Sequence, residues 1–169
     1  MKLFSFLALA ITTVITCSIG NPMQVQAAEF TPQAVVTEFT DPTAHFEDTL
    51  FILINEERER HGLHAYELDN CVDAASEIRV TELETYFSHN RNGGKRFSSV
   101  LAEAGISYSA SAEILAFGHT NPKQVFDAWL NSPEHCSRIL SDNFTNIGVA
   151  HNRTNTGIDY WEILFVTEK

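Results

Sequence analysis

The chain has 169 residues, of which 44% are hydrophobic and 20% are charged, and its formal net charge at pH 7 is -11. This length fits one domain of ordinary size, and the hydrophobic fraction excludes a mainly disordered chain. The excess of acidic residues excludes the basic face that a nucleic-acid-binding protein needs, and it disfavours adhesion to anionic membranes.

The first segment of the chain predicts an export signal. Lys2 is followed by an uncharged apolar run over 3–19, and Ala27 and Ala28 are the small residues near which a signal peptidase would cleave. The run is short for a membrane anchor, and no cluster of Lys or Arg follows it. We therefore predict a signal peptide over 1–27, a secreted protein and no stable membrane span after processing.

A tether and an amphipathic helix are predicted next. Residues 28–42 show no steady periodicity and predict a loosely held tether, so that the domain itself is expected to span 43–169. Apolar residues at three- and four-residue steps predict a helix over 43–61, which Gly62 ends. A solvated, ion-paired end is expected where charges cluster in this helix, at Glu56, Glu57, Arg58, Glu59 and Arg60.

The middle of the chain predicts two further helices. One runs from Asn70, its expected N-cap, to about Tyr86. A polar loop with two glycines follows at 90–96, and a short helix is predicted over about 97–104. The apolar residues expected on the buried face of the longer helix are Val72, Ala75, Ile78 and Leu83.

The C-terminal part changes from a helical to a strand pattern. Asn121 followed by Pro122 is typical of a helix start, and Pro133 starts another short helix or turn. Apolar residues around Ile147 and over 160–166 predict two strands joined as a hairpin. Helices first and a hairpin last indicate the α+β class. The residues expected in the core of this part are Val125, Phe126, Trp129, Leu130, Tyr160, Trp161 and Phe165.

The sequence holds no self-sufficient catalytic signature. It lacks the nucleophile elbow, the zinc-peptidase histidine pair, the phosphate loop and the dinucleotide glycine pattern. It carries instead a series of short segments, each of them weak alone. They are 53–58, 87–89, 112–114, 128–135, 144–149 and 160–161.

In this order and spacing the segments resemble the CAP (SCP-like) superfamily of cysteine-rich secretory, antigen-five and pathogenesis-related proteins. The short bacterial secreted members are the most similar. The resemblance covers about Leu50 to Phe165, and 129–135 together with 144–149 is its most specific part. It implies a three-layer α-β-α sandwich around a small antiparallel sheet, including central strands that periodicity does not reveal.

The resemblance also implies an open cleft with two histidines and two glutamates, which bind a divalent metal in some members. His89 matches the first histidine, Glu113 matches one glutamate, and His135 matches the second histidine. The other glutamate has no match, because Ser132 stands where it is expected. The residues that flank Glu113 also differ from the family pattern.

These three residues leave more than one interpretation open. Two imidazoles and one carboxylate can hold zinc or a similar ion weakly, and water bound to such an ion becomes acidic. A metal-assisted hydrolase of peptides that uses Glu113, His89 and His135 is therefore the alternative to a binding module. A polar network in which Glu113 pairs with His89 or His135 accounts for the same residues. We expect a binding module rather than an enzyme, because no second carboxylate is evident and Glu134 is expected to point away from the cleft.

The remaining predictions concern partners and cysteines. The partner is left open between a lipid, a cell-envelope component and a protein, and no nucleic acid is expected. Cys71 lies 18 residues before His89, roughly 27 Å away at the rise of a helix, and Cys136 adjoins His135. This separation exceeds the reach of a disulfide, so we predict two free or buried thiols. No role is predicted for the histidines in polar surroundings, which are His45, His61, His64, His119 and His151.

Overall fold

A computed structural model describes residues 45–169. The predicted signal peptide and tether, over 1–27 and 28–42, lie outside the described residues. Within 45–169, no helix is long and apolar enough to cross a membrane. The elements in chain order are α1 (Phe46–Arg60), β1 (Glu67–Leu68), α2 (Asn70–Leu83), α3 (Ser99–Glu103), β2 (Tyr108–Phe117), α4 (Pro122–Leu130), α5 (Pro133–Ile139), β3 (Asn146–Arg153) and β4 (Asp159–Glu168).

The strands form one sheet in the order β1-β3-β4-β2. The two-residue strand β1 runs parallel to β3, whereas β4 pairs antiparallel with β3 on one side and with β2 on the other. The predicted C-terminal hairpin is therefore confirmed as β3 and β4. Strand β2 lies at an edge of the sheet, and periodicity did not predict it.

The sheet lies between two layers of helices because alternate residues of β4 face opposite sides. Trp161, Ile163 and Phe165 pack in one core with α1, α4 and α5. Leu164 and Val166 pack in a second core with α2 and α3. The α+β class and the three-layer α-β-α sandwich are both confirmed.

Polar residues cap the helices that carry the site. The Asp69 carboxylate accepts from the backbone N–H groups of Cys71 and Val72 at 2.8 and 2.9 Å, so Asp69 caps α2. The prediction of Asn70 as the cap was wrong by one residue. The Asn121 side chain caps α4, as its position before a proline predicts.

The charged end of α1 is not wholly solvated, because Arg58 is buried at 1% exposure. Its Nη1 donates to the carbonyls of Ile139 and Ser141, both at 2.8 Å, and its Nε donates to the carbonyl of His64 at 2.8 Å. The guanidinium also lies 3.5 Å from the ring centre of Tyr66. These contacts compensate for the loss of water and tie α1 to the end of α5.

Two predictions about single residues have opposite outcomes. Cys71, exposed at the start of α2, and Cys136, half-buried in α5, are free thiols as predicted. The prediction for His151 was wrong, because this side chain is buried and its Nε2 lies 2.8 Å from Asp159 Oδ1. Its ring also contacts Trp161 at 4.2 Å between centroids, so His151 belongs to the core.

Candidate functional site

Glu113 projects from β2 into the space under α2. It stands opposite Leu164 in the register of β2 and β4, and its side chain is fully buried. Its Oε1 accepts from Arg79 Nε at 2.8 Å, and its Oε2 lies 2.9 Å from His89 Nδ1. Both oxygens of this carboxylate are therefore engaged, one by a cation and one by an imidazole.

Arg79 is the partner that sequence reasoning missed. It is fully buried, and it also donates to Glu82 Oε2 at 2.8 Å and to the carbonyl of Ser88 at 3.1 Å. Burial alone would lower the pKa of Arg79, but its hydrogen bonds and the charge of Glu113 outweigh burial and raise it. The guanidinium thus links α2, β2 and the loop that leads to His89.

A signal for Arg79 was present in the sequence. The buried residues of α2 recur at helical spacing from Val72, and this spacing reaches Arg79 and Val80 rather than Ile78. The prediction that Ile78 is buried was wrong, since it is 50% exposed. A charged residue on the buried stripe of an amphipathic helix indicates a paired charge inside the protein.

His89 lies in the loop after α2, six residues beyond the end of that helix. Its side chain is 61% exposed, although its Nδ1 is held by the buried Glu113. An ionised carboxylate accepts hydrogen bonds, so Nδ1 carries the proton and Nε2 is left as the nitrogen with a free lone pair. Glu113 therefore orients the ring of His89.

His135 lies in the first turn of α5 and is half-buried. Burial lowers the pKa of His135, and the neighbouring His89 lowers it further, while Glu134 acts in the opposite direction. His89, Glu113 and His135 line one cavity of about 310 Å³. The structure therefore brings the three predicted residues together, with His135 neutral at pH 7.

Glu134 lines the same cavity, with Ile114 and Arg138. The expectation that it points away from the cleft was wrong. Glu134 and its neighbour His135 both line the cavity from the first turn of α5. The cleft therefore has a second carboxylate, although not at the position of Ser132.

The residues present do not fit a metal site with three protein ligands. Within residues 45–169, no group of three or more His, Cys, Asp or Glu side chains is arranged to hold a metal ion. Glu113 explains this result, because Arg79 and His89 occupy its two oxygens. A carboxylate bonded to the other nitrogen of a histidine typically orients that ligand instead of binding the metal itself.

A second cavity of about 300 Å³ adjoins the first at His135, which lines both. Its walls include Trp129 and the rings of Phe87 and Phe117, which meet edge to face with centroids 4.8 Å apart. Tyr160 lies against Phe117 at 6.0 Å, half-buried at the rim instead of in the core as predicted. A polar and an aromatic cavity therefore lie side by side.

A larger cavity of about 810 Å³ lies elsewhere, around Arg58, His64 and Asp142. Backbone carbonyls already occupy the donors of Arg58, and His64 supplies one of those carbonyls. The remaining nitrogen of Arg58, Nη2, faces Asp142 at 3.8 Å, so these two charged groups of the cavity are paired with each other. We therefore place the functional site at His89 and His135.

Glu162 is a second buried carboxylate on the α2 side of the sheet. It lies on β4 opposite Leu115 and is fully buried, and neither of its oxygens has a hydrogen-bond partner among residues 45–169. Burial raises the pKa of Glu162 well above its ordinary value, and the charge of Glu113 adds to this effect. The folded protein therefore favours the protonated acid.

We expect Glu162→Gln to stabilise the protein at neutral and higher pH, by on the order of 1 kcal/mol. A raised pKa means that the folded state retains a proton which the unfolded state has released. In the wild type, the stability that this bound proton contributes is complete below the ordinary pKa of Glu, about 4.3. It is lost as the pH rises through the raised pKa of Glu162. The free energy of unfolding, measured in urea from pH 5 to about pH 8, should therefore depend less on pH in the variant than in the wild type.

The exposed acid at the end of the same strand provides the control for this change. Glu168→Gln removes one negative charge without altering a buried group. The difference in the free energy of unfolding between pH 5 and about pH 8 should be the same in this variant as in the wild type. Equal pH profiles for the wild type and Glu162→Gln would contradict the assignment of a buried, protonated Glu162.

Comparisons with known proteins agree with this architecture. The family model of the cysteine-rich secretory protein family, CAP, matches residues 51–167. The uncharacterized protein YkwD of Bacillus subtilis is 31% identical over 108 residues, which are 63% of this chain and 42% of that protein. This chain thus spans less than half the length of that relative.

Solved structures show the same fold. An outer surface protein from Borrelia burgdorferi superposes with a TM-score of 0.71 at 25% identity, over 76% of this chain and 97% of that one. An extracellular protein containing an SCP domain from Bacillus anthracis superposes with a TM-score of 0.65 at 22% identity, over 72% and 40% of the two chains. With the family match over most of the described residues, the chain belongs to the cysteine-rich secretory protein (CAP) family.

Proposed function

We propose that the domain is an extracellular binding module whose ligand occupies the cleft at His89 and His135. The observation that carries this proposal is the exposed His89 imidazole held by the buried pair of Glu113 and Arg79. Burying an ion pair costs free energy, and here the pair fixes a ring that faces the cavity. The apolar run over 3–19 and the names of the outer surface and extracellular relatives support a location outside the cell.

The proposal includes weak uptake of a divalent ion such as zinc by the two imidazoles. Glu113 would orient His89, and it would not act as a third ligand. Two neutral imidazoles from different elements suit zinc, but two protein ligands hold it weakly. Binding requires unprotonated rings, so protons should compete with the ion as the pH falls.

Zinc titration by calorimetry tests this ion site. We expect His89→Ala and His135→Ala each to weaken binding by about tenfold or more relative to wild type. His61→Ala, which removes an exposed histidine at the end of α1, is the matched control and should bind as the wild type does. Equal weak binding in all four proteins would show that His89 and His135 share no ion.

The position of Glu134 favours a metal-assisted hydrolase as the second candidate function. Glu113 is held by Arg79 and His89, so Glu134 is the carboxylate in the cavity that is available as a general base. Turnover of a broad peptide library that is lost in Glu134→Gln and in His135→Ala would support hydrolysis. The same turnover in both variants, or none in the wild type, would exclude it.

A further inference from the structure

One side of strand β2 is unpaired, and this side forms the floor of both cavities. Gly118, just after β2, donates its N–H to the carbonyl of Asp159 at 2.8 Å, so the backbone groups of even-numbered residues face β4. In an antiparallel pair the alternate residues point their groups the opposite way. Leu115 shows this directly, because its carbonyl accepts from Trp129 Nε1 at 3.2 Å.

The outward backbone groups of Glu113, Leu115 and Phe117 lie along this side. Apart from the indole of Trp129, residues 45–169 supply no hydrogen-bond partner for them. Proteins usually protect an open edge with a charged side chain, a proline or a bulge. Here the bulge lies at the other end of β2, near Tyr108, and the Glu113 side chain turns inward to Arg79. The outward groups of Glu113 and Phe117 and the N–H of Leu115 are therefore left able to pair, whereas the carbonyl of Leu115 already accepts from Trp129.

The two cavities follow each other along this edge. The polar cavity lies at Glu113 and Ile114, and the aromatic cavity lies at Leu115 to Phe117. Alternate residues of an extended chain are about 6.6 Å apart and point to the same side. Side chains two positions apart in a segment laid along β2 would thus enter the two cavities in succession, on either side of His135.

We infer that the cleft binds an extended peptide segment of a partner protein, which adds to the free edge of β2. A large apolar side chain of the segment would fill the aromatic cavity, and a polar side chain two positions away would meet the imidazoles. This inference rests on the proposed function, since it names the ligand class of the same cleft. Main-chain hydrogen bonds supply affinity in this mode of binding, and the pockets for alternate side chains supply selectivity.

Defined peptides test the inference on the full chain. The probes are linear, end-blocked heptapeptides of alternating threonine and glutamine in which the central residue is phenylalanine, leucine or alanine. We expect the phenylalanine peptide to bind about tenfold more tightly than the alanine peptide in fluorescence anisotropy. Binding should also slow the amide hydrogen exchange of Leu115 and Phe117, because their N–H groups would gain partners.

Backbone methylation separates strand addition from simple burial of an aromatic side chain. An N-methyl group on a peptide nitrogen that faces β2 should weaken binding by about tenfold, whereas methylation of the adjacent nitrogen should not. Equal effects of the two methyl groups would overturn strand addition, and so would unchanged exchange at Leu115 and Phe117. No binding by any of the peptides at about 1 mM would overturn it as well.

Variants of the protein complete the test. Phe117→Ala should weaken binding of the phenylalanine peptide by about tenfold, and Ile52→Ala, which truncates a similarly exposed residue on α1, should not. Concentration-dependent dimerisation that Phe117→Ala abolishes would mean that a second copy of the chain occupies the edge, and it would overturn the inference. If the peptide binds but the zinc titration shows no difference between the wild type and the histidine variants, only the ion site of the proposed function is contradicted.

Discussion

Replacing Arg79 with methionine is expected to lower the free energy of unfolding at pH 7 by about 3–5 kcal/mol. Methionine replaces the aliphatic part of the side chain and carries no charge. The variant would leave the fully buried carboxylate of Glu113 without the cation that pairs with it. The bond to the carbonyl of Ser88 would also be lost, so the loop that carries His89 would lose its attachment to α2.

Urea unfolding and thermal unfolding measure this effect, and a loss of this size corresponds to about 10 °C or more in Tm. Arg96→Met is the matched control, because Arg96 is exposed and forms no ion pair within the described part of the chain. Adding Glu113→Gln to Arg79→Met should recover part of the stability, since it removes the unpaired charge. A loss below about 1 kcal/mol, as for a surface arginine, would show that Arg79 is not the essential counterion.

Gly148→Ala is expected to destabilise the protein by about 3 kcal/mol. Gly148 lies on β3 where α2 crosses the sheet, and a Cβ atom there would lie 2.5 Å from the backbone carbon and oxygen of Val72. The next backbone nitrogen, of Asp73, would be 2.6 Å away. Because these atoms belong to a helix backbone, α2 would have to move as a unit. The Asp73 carboxylate, which accepts from the N–H of Val149 at 2.9 Å, would move with it.

The direction of the Gly148→Ala effect is what tests the close approach of α2. Without a clash, alanine would restrict the unfolded chain and stabilise the protein by about 0.4–1 kcal/mol. An unchanged or raised Tm would therefore contradict the contact. Ala150→Gly, on the same strand and the same face, adds backbone freedom and removes one buried methyl group without a clash, and should cost about 1–2 kcal/mol. If α2 is displaced in Gly148→Ala, zinc binding should also be lost. Arg79 extends from that helix and holds Glu113, which in turn orients His89.

The helices and the hairpin could be predicted from sequence because their apolar residues follow regular periods. Strand β2 could not. Its residues from Ala112 to Leu115 are buried on both faces, so polar and apolar residues do not alternate there. Its one charged residue, Glu113, faces the interior because Arg79 compensates it. A prediction that assigns every charged residue to the surface therefore fails for such a strand.

The candidate site was predicted in part. His89, Glu113 and His135 came from the resemblance to the family, and the structure brings them to one cavity. Their supporting contacts could not be predicted, since Arg79 and Glu113 are separated by 34 positions in the chain. Arg58 shows the same limitation, because its acceptors lie 81 and 83 positions away. A charged residue appears solvent-exposed in sequence until the fold places acceptors around it.

The central position of β4 has a consequence for the order in which the chain can fold during synthesis. β4 is made after both of its neighbours in the sheet, β3 and β2. While the ribosome is still adding residues before Asp159, β2 has no strand with which to pair, and the buried faces of α2 and α4 have no complete sheet beneath them. The sheet can close only after β4 has emerged, so a nascent chain of this protein stays open at least until the residues of β4 have left the ribosome.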